Sequence, residues 1–202
     1  MESMRSELMR RGRLEMIIGP MYSGKTEEMI RRITRRNIAK QNGLILKPSM
    51  ETRDGKFLKS RSGMILEAVP VKDSSEVLDL VKKGRYDYVA LDEIQFFDDG
   101  IVDVIEEIVN MGVSVIGSGL NLDFKGEPFN NVSRLAMKAD ELTLLKAVCV
   151  ICGRDATRTQ RLVMVNGEWR PASKKDSTIL VEGSMENVRY EPRCRDCWVI
   201  EE

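Results

Sequence analysis

The chain has 202 residues, 42% of them hydrophobic, which is enough for one domain, or one domain with a small appendage, around a proper core. Lys plus Arg and Asp plus Glu number 32 each, so no global field draws the protein to nucleic acid or to an acidic membrane surface, and partners must be read from local sites. The chain contains no histidine, which excludes histidine-based catalysis.

Residues 1–13 carry Arg5, Arg10, Arg11 and Arg13 among methionines. They read as a flexible N-terminal extension, with phosphate or nucleic-acid contact as the alternative. The first apolar stretch, 14–18, is shorter than a signal-peptide core of roughly 7 to 15 residues or a membrane span of about 20, so the expectation is a cytoplasmic protein with no membrane partner. From residue 14 to 146, short apolar runs alternate with amphipathic ones. Strands are expected at 14–18, 44–47, 86–92, 113–117 and 142–145, with a weaker one at 65–69. Helices are expected at 26–39, at 75–83 with Ser74 as cap, and at 101–111 before Gly112. This alternation predicts an α/β fold: a P-loop, RecA-like parallel sheet flanked by helices, spanning residues 14–146. After Lys146 the character changes. Residues 147–202 are expected to form a small zinc-ribbon lobe with short strands at 161–165 and 177–181.

Residues 19–26, Gly19-Pro20-Met21-Tyr22-Ser23-Gly24-Lys25-Thr26, satisfy G-x-x-x-x-G-K-S/T between an expected strand and an expected helix. In that setting the glycines let backbone N–H groups cradle phosphate oxygens at the helix N-terminus. Lys25 reaches the outer phosphates of a triphosphate, and the Thr26 hydroxyl can ligate magnesium. The acidic partner follows at the end of the 86–92 strand, where Asp92 is placed to hold the Mg2+ shell and Glu93 to act as general base on an attacking hydroxyl. An Asp-Glu pair of this kind also occurs where Glu activates water, so it defines phosphoryl transfer without naming the acceptor.

Cys149-x-x-Cys152 and Cys194-x-x-Cys197 form two C-x-x-C pairs, the spacing of a structural Zn2+ site with four thiolates. Disulfides and a redox pair are the weaker alternatives in a cytoplasmic setting.

With these motifs in hand, the sequence from residue 14 to 198 resembles the type II, zinc-containing thymidine kinase family. The resemblance is carried by the 19–26 loop with its Pro-Met, by Asp92-Glu93-Ile94-Gln95-Phe96-Phe97, by Gly119-Leu120-Asn121-Leu122-Asp123-Phe124, and by Tyr190 with Cys194-Arg195-x-Cys197. It implies transfer of the γ-phosphoryl group of ATP to the 5′-hydroxyl of thymidine, with deoxyuridine also accepted, in nucleotide salvage. Glu93 would be the base, with ATP contacts along Gly19 to Thr26 and at Asp92 and Gln95. It further implies a thymine pocket from Met21, Phe96, Leu120, Phe124 and Tyr190, closed by a loop between the cysteine pairs that includes Val181 and Gly183. An apolar slot with aromatic walls suits a flat, methylated base. Ordinary core packing is the alternative for Phe96 and Phe124, and is the preferred reading for Phe97. Arg53 matches a D-x-R motif in which Glu51 replaces the usual Asp, and it is a candidate for substrate or phosphate contact; a solvated surface arginine is the alternative. Residues 181–189 hold extra residues where relatives carry Gly-Gly close to Tyr. Feedback inhibition by dTTP and a homotetramer are implied by the resemblance alone. The competing readings are a P-loop kinase for another nucleoside, and a RecA-like ATPase whose zinc ribbon grips nucleic acid. Zero net charge and the lack of a basic-aromatic face speak against the latter.

Overall fold

The computed structural model describes residues 11–50, 57–59, 63–178 and 187–202. Its centre is a six-stranded, wholly parallel sheet built from β1 (Leu14–Gly19), β2 (Gly43–Pro48), β5 (Val69–Val71), β6 (Tyr88–Leu91), β7 (Ser114–Leu120) and β8 (Glu141–Leu144). The strand order is β5-β2-β6-β7-β1-β8. The expected strand at 65–69 divides in two. Ile65–Glu67 (β4) pairs in a separate hairpin with Phe57–Lys59 (β3), and Val69–Val71 joins the edge of the main sheet beside β2.

Successive side chains of a strand point to opposite faces, and the central strands are apolar on both. Leu14, Met16, Val89, Leu91 and Val115 pack on one face against α2 (Ser74–Lys83), α3 (Ile101–Asn110) and α4 (Asn130–Lys138). Ile17, Tyr88, Ala90 and Ile116 pack on the other against Met29, Ile30 and Ile33 of α1 (Lys25–Ile38), with Leu58 of the hairpin. Helix α3 buries Ile101, Ile105 and Ile108 completely, each contributing about 1.5–3 kcal/mol relative to an exposed side chain.

Two local details differ from expectation. Helix α2 is capped by Asp73, whose carboxylate accepts from Glu76 N at 3.0 Å, and not by Ser74. Ser74 is instead the first helical residue, and its hydroxyl donates to Asp98 Oδ1 at 2.6 Å, tying α2 to the loop before α3. Ser177 and Thr178 are not in a strand, and the remainder of the expected 177–181 strand lies outside the described residues.

Helix α1 is fixed over the sheet by Arg32, which is almost wholly buried. Its guanidinium pairs with Glu15 of β1 at 2.7 Å, Glu28 of its own helix at 2.9 Å and Glu141 of β8 at 3.0 Å. These contacts lock the helix that follows the phosphate loop onto the strand that precedes it.

Beyond the main sheet, β9 (Ala147–Val148) and β10 (Asp155–Ala156) form an antiparallel pair. β11 (Arg158–Val165), β12 (Glu168–Pro171) and β13 (Val188–Arg193) form an antiparallel sheet in the order β12-β11-β13. Segments next to this sheet are joined to the one after β7: Trp198 Nε1 donates to the Phe124 carbonyl at 3.1 Å, and Thr178 Oγ1 to Asp123 Oδ2 at 3.1 Å. Among the described residues, no helix is long and apolar enough to cross a membrane.

Candidate active site

The 19–26 loop leaves β1 at its carboxyl end and enters α1. Gly24 takes φ +83°, which glycine adopts without steric cost, and Tyr22 takes φ 69°, which a side chain rarely tolerates outside a functional turn. Among the described residues no side chain caps α1, whereas α2 is capped by Asp73, and an uncapped helix N-terminus suits an anion. Lys25 is buried, and its Nζ donates to the Pro20 carbonyl at 2.8 Å, which also accepts from Ser23 Oγ at 2.9 Å. The loop is pinned from outside as well: Met21 N donates to Thr159 Oγ1 of β11 at 3.1 Å.

Strand β7 separates β1 from β6, which puts the phosphate loop and the end of β6 two strand spacings apart, roughly 10 Å. Asp92, immediately after β6, is buried, and the hydroxyl of Ser118 on β7 donates to it. Burial and the neighbouring charge of Glu93 push the Asp92 carboxyl up to about 7. The Ser118 bond and the charge of Lys25 pull the other way, which places the loop lysine within electrostatic reach of this acid.

Glu93 takes φ 51°, the left-handed region, at the point where β6 gives way to a 3-10 turn at Ile94–Phe96. The buried Gln95 amide holds it there, with Nε2 donating to the Glu93 carboxylate and Oε1 accepting from Leu120 N at 3.0 Å. The end of β7 must be slim for this bridge. A Cβ on Gly119 would stand 2.9 Å from Val132 and 3.1 Å from Gln95 Oε1. The Oδ1 atom of Asn121, just past β7, is buried and has no hydrogen-bond partner among the described residues.

The aromatic residues divide by environment. Phe97 is core, packed in the cluster beneath α2 and α3. Phe96 is half-buried, as are Met21, Leu120 and Tyr190. Phe124 is buried, in a turn held by Asp123, whose Oδ1 accepts from Lys125 N at 2.8 Å and Glu127 N at 2.9 Å. The Arg161 guanidinium lies over the Phe124 ring at 3.8 Å, and Arg161 Nε donates to Tyr190 Oη at 2.9 Å. Arg53, Val181 and Gly183 lie outside the described residues.

Sequence reasoning missed Ser118, Thr159 and Arg161. Thr159, Gln160 and Arg161 are consecutive polar residues, all buried, at the start of a strand that continues as an apolar run from Leu162 to Val165. For Thr159 and Arg161, the unbroken polar run leading into the expected 161–165 strand is the signal that could have found them.

The four cysteines converge. Their sulfurs all lie within 4.8 Å of one another, and Cys152 Sγ is 3.6 Å from Cys194 Sγ, against the ~3.8 Å separation that four thiolates at 2.3 Å from a tetrahedral ion would show. Burial works against ionisation of Cys149, but backbone N–H groups of Cys194, Cys152 and Ile151 outweigh it and bring the thiol down to about 6, favouring the thiolate a metal requires. The donor set and spacing suit a four-coordinate ion such as zinc.

A helix N-terminus uncapped by side chains, facing a buried carboxylate across one strand of a parallel sheet, is the arrangement of P-loop nucleotide-binding proteins, and this chain is one of them. The particular kind follows from comparison: the family model for thymidine kinase matches residues 12–198, and the chain belongs to the thymidine kinase family. Membership makes it a phosphotransferase of the kinase type.

Proposed function

We propose that the protein is a thymidine kinase in the strict sense, transferring the γ-phosphoryl group of ATP to the 5′-hydroxyl of thymidine to give dTMP and ADP. The observation that carries this reading is the fixed carboxylate of Glu93. It stands beside the metal-site acid Asp92 and is tethered through Gln95 to the strand end that opens into the Phe124 segment.

In this reading the Glu93 carboxylate accepts the proton of the 5′-hydroxyl as its oxygen forms a bond to the γ-phosphorus. The bond from that phosphorus to the β,γ-bridging oxygen breaks, and ADP leaves. The amides of the 19–26 loop and Lys25 hold the phosphates in line. Thr26 and Asp92 hold magnesium, which neutralises phosphate charge when bound. Met21, Phe96, Leu120, Phe124 and Tyr190 wall the base, joined by Val181 and Gly183 from the sequence resemblance, while Arg53 contacts the substrate or the bound phosphates. Cys149, Cys152, Cys194 and Cys197 hold a structural zinc ion that ties β9 and β10 to the chain's end.

Residues 147–202 form a lobe distinct from the 14–146 nucleotide-binding domain, preceded by a 1–13 extension. Inhibition by dTTP, a homotetrameric assembly and a cytoplasmic location complete the proposal by resemblance to the family. The test is a panel of nucleosides incubated with ATP and Mg2+ and scored for 5′-monophosphate. Thymidine leads, with deoxyuridine accepted; a panel led by a purine nucleoside or deoxycytidine overturns the base assignment.

A further inference from the structure

Arg161 is among the largest fully buried side chains of the molecule, with 1% of its surface exposed, and it is a cation. Burying an ion is costly unless its donors are all satisfied, so the partners it has been given are informative. Nε donates to Tyr190 Oη at 2.9 Å, Nη1 to the Ser177 carbonyl at 2.5 Å and Nη2 to the Thr178 carbonyl at 2.7 Å. The flat face of the guanidinium covers the Phe124 ring at 3.8 Å. Each nitrogen thus has an acceptor in its plane while the π-face is stacked, a combination open to arginine and not to lysine.

The strand register explains how one residue reaches all of these. Arg161 on β11 sits directly opposite Tyr190 on β13. Thr159, two residues earlier and therefore on the same face, accepts the Met21 amide of the phosphate loop, while Gln160, pointing oppositely, pairs with both backbone groups of Val199. One face of β11 accordingly touches the phosphate loop at Thr159 and two proposed base walls at Arg161.

We infer that Arg161 is the positioning residue of the nucleoside pocket, its guanidinium holding the Phe124 ring, the Tyr190 hydroxyl and the backbone at Ser177 and Thr178 in one fixed arrangement. The inference rests on the thymidine kinase reading and adds a specificity-determining residue to it. Nucleoside recognition depends on the Arg161 fork, whereas ATP recognition, built from the 19–26 loop, does not.

The experiment compares wild type with Arg161→Lys, Arg161→Gln and the milder Tyr190→Phe. It measures KM for thymidine and for ATP, kcat, equilibrium thymidine binding, metal content per chain and far-UV circular dichroism. Losing the in-plane hydrogen bonds is expected to raise the thymidine KM and dissociation constant about tenfold or more in both Arg161 variants. Lysine fails to rescue, and the ATP KM stays within about twofold by the same reasoning. Tyr190→Phe moves in the same direction by a smaller factor. A merely structural arginine would instead leave folded variants with unchanged thymidine binding, or weaken thymidine and ATP alike, and either result overturns the inference while leaving the kinase reading intact. If the Arg161 variants lose their fold, Tyr190→Phe decides alone: an unchanged thymidine KM overturns the inference. Wild-type protein that neither binds nor phosphorylates thymidine overturns both.

Discussion

Replacing Gln95 with leucine preserves side-chain bulk and removes both hydrogen bonds of the Gln95 amide. One partner, Leu120 N at the end of β7, is part-buried. Leaving a fully buried donor unpaired costs about 1–3 kcal/mol, and for this part-buried one a fall in stability of about 1 kcal/mol is expected in urea denaturation. The other partner is the Glu93 carboxylate. The left-handed backbone at Glu93 is held by the turn that follows, so the backbone stays in place while the side chain gains rotamers. A base misplaced by about 1 Å costs on the order of a hundredfold in rate, so kcat for thymidine phosphorylation should fall about ten- to a hundredfold. That is less than the hundred- to ten-thousandfold, in order of magnitude, expected for Glu93→Gln, which removes the proposed base. The ATP KM should change little. Stopped assays across both substrates with a parallel denaturation curve make the measurement. A Gln95→Leu enzyme with kcat within about twofold of wild type would show that Glu93 needs no tether, contrary to the positioning argument.

Asp92 gives a pH-dependent expectation. Its carboxyl is held up at about 7, above its unfolded value of 3.8, so the metal-free fold favours the neutral form, and this contribution is present below pH ~4 and lost as pH rises through ~7. Asp92→Asn should therefore be more stable than wild type at pH 8, by an amount on the order of a few kcal/mol that shrinks towards pH 4 in metal-free denaturation curves. Magnesium binding requires the ionised acid, so the Mg2+ concentration for half-maximal activity should rise in wild type as pH falls from 8 to 6. Cys194→Ala should release the metal found by elemental analysis and lower the melting temperature, as should a strong chelator on wild type. Asp73→Ala removes the α2 cap and should cost about 1 kcal/mol with the thymidine KM unchanged, measured by denaturation and steady-state assay.

The phosphate loop, the acid after β6 and the paired cysteines were legible because each is a short-range signal: local sequence sets the turn, the strand end and the ligand spacing. The parallel sheet was legible for the same reason, since strands such as 88–91 are apolar on both faces. What escaped depends on distant partners. Arg161 reads only as the first residue of a short strand until Phe124, Tyr190, Ser177 and Thr178 surround it. Ser118 gains its role only because β7 lies beside β6. Asp73 displaced Ser74 as a cap because Ser74 is engaged by Asp98, twenty-four residues away. Two elements were readable and went unread: α4 shows Val132, Leu135 and Ala136 at helical spacing, while Val188–Arg193 is a weak alternation broken by Pro192 on an edge strand.

The central claim is that Glu93 serves a nucleoside acceptor and not water. Incubating the purified protein with γ-labelled ATP, Mg2+ and thymidine, and resolving the labelled products, tests it directly. Label should pass to dTMP in step with ADP formation, and both products should vanish together in Glu93→Gln. Label appearing as inorganic phosphate, with ADP formed at the same rate whether or not thymidine is present, would contradict it.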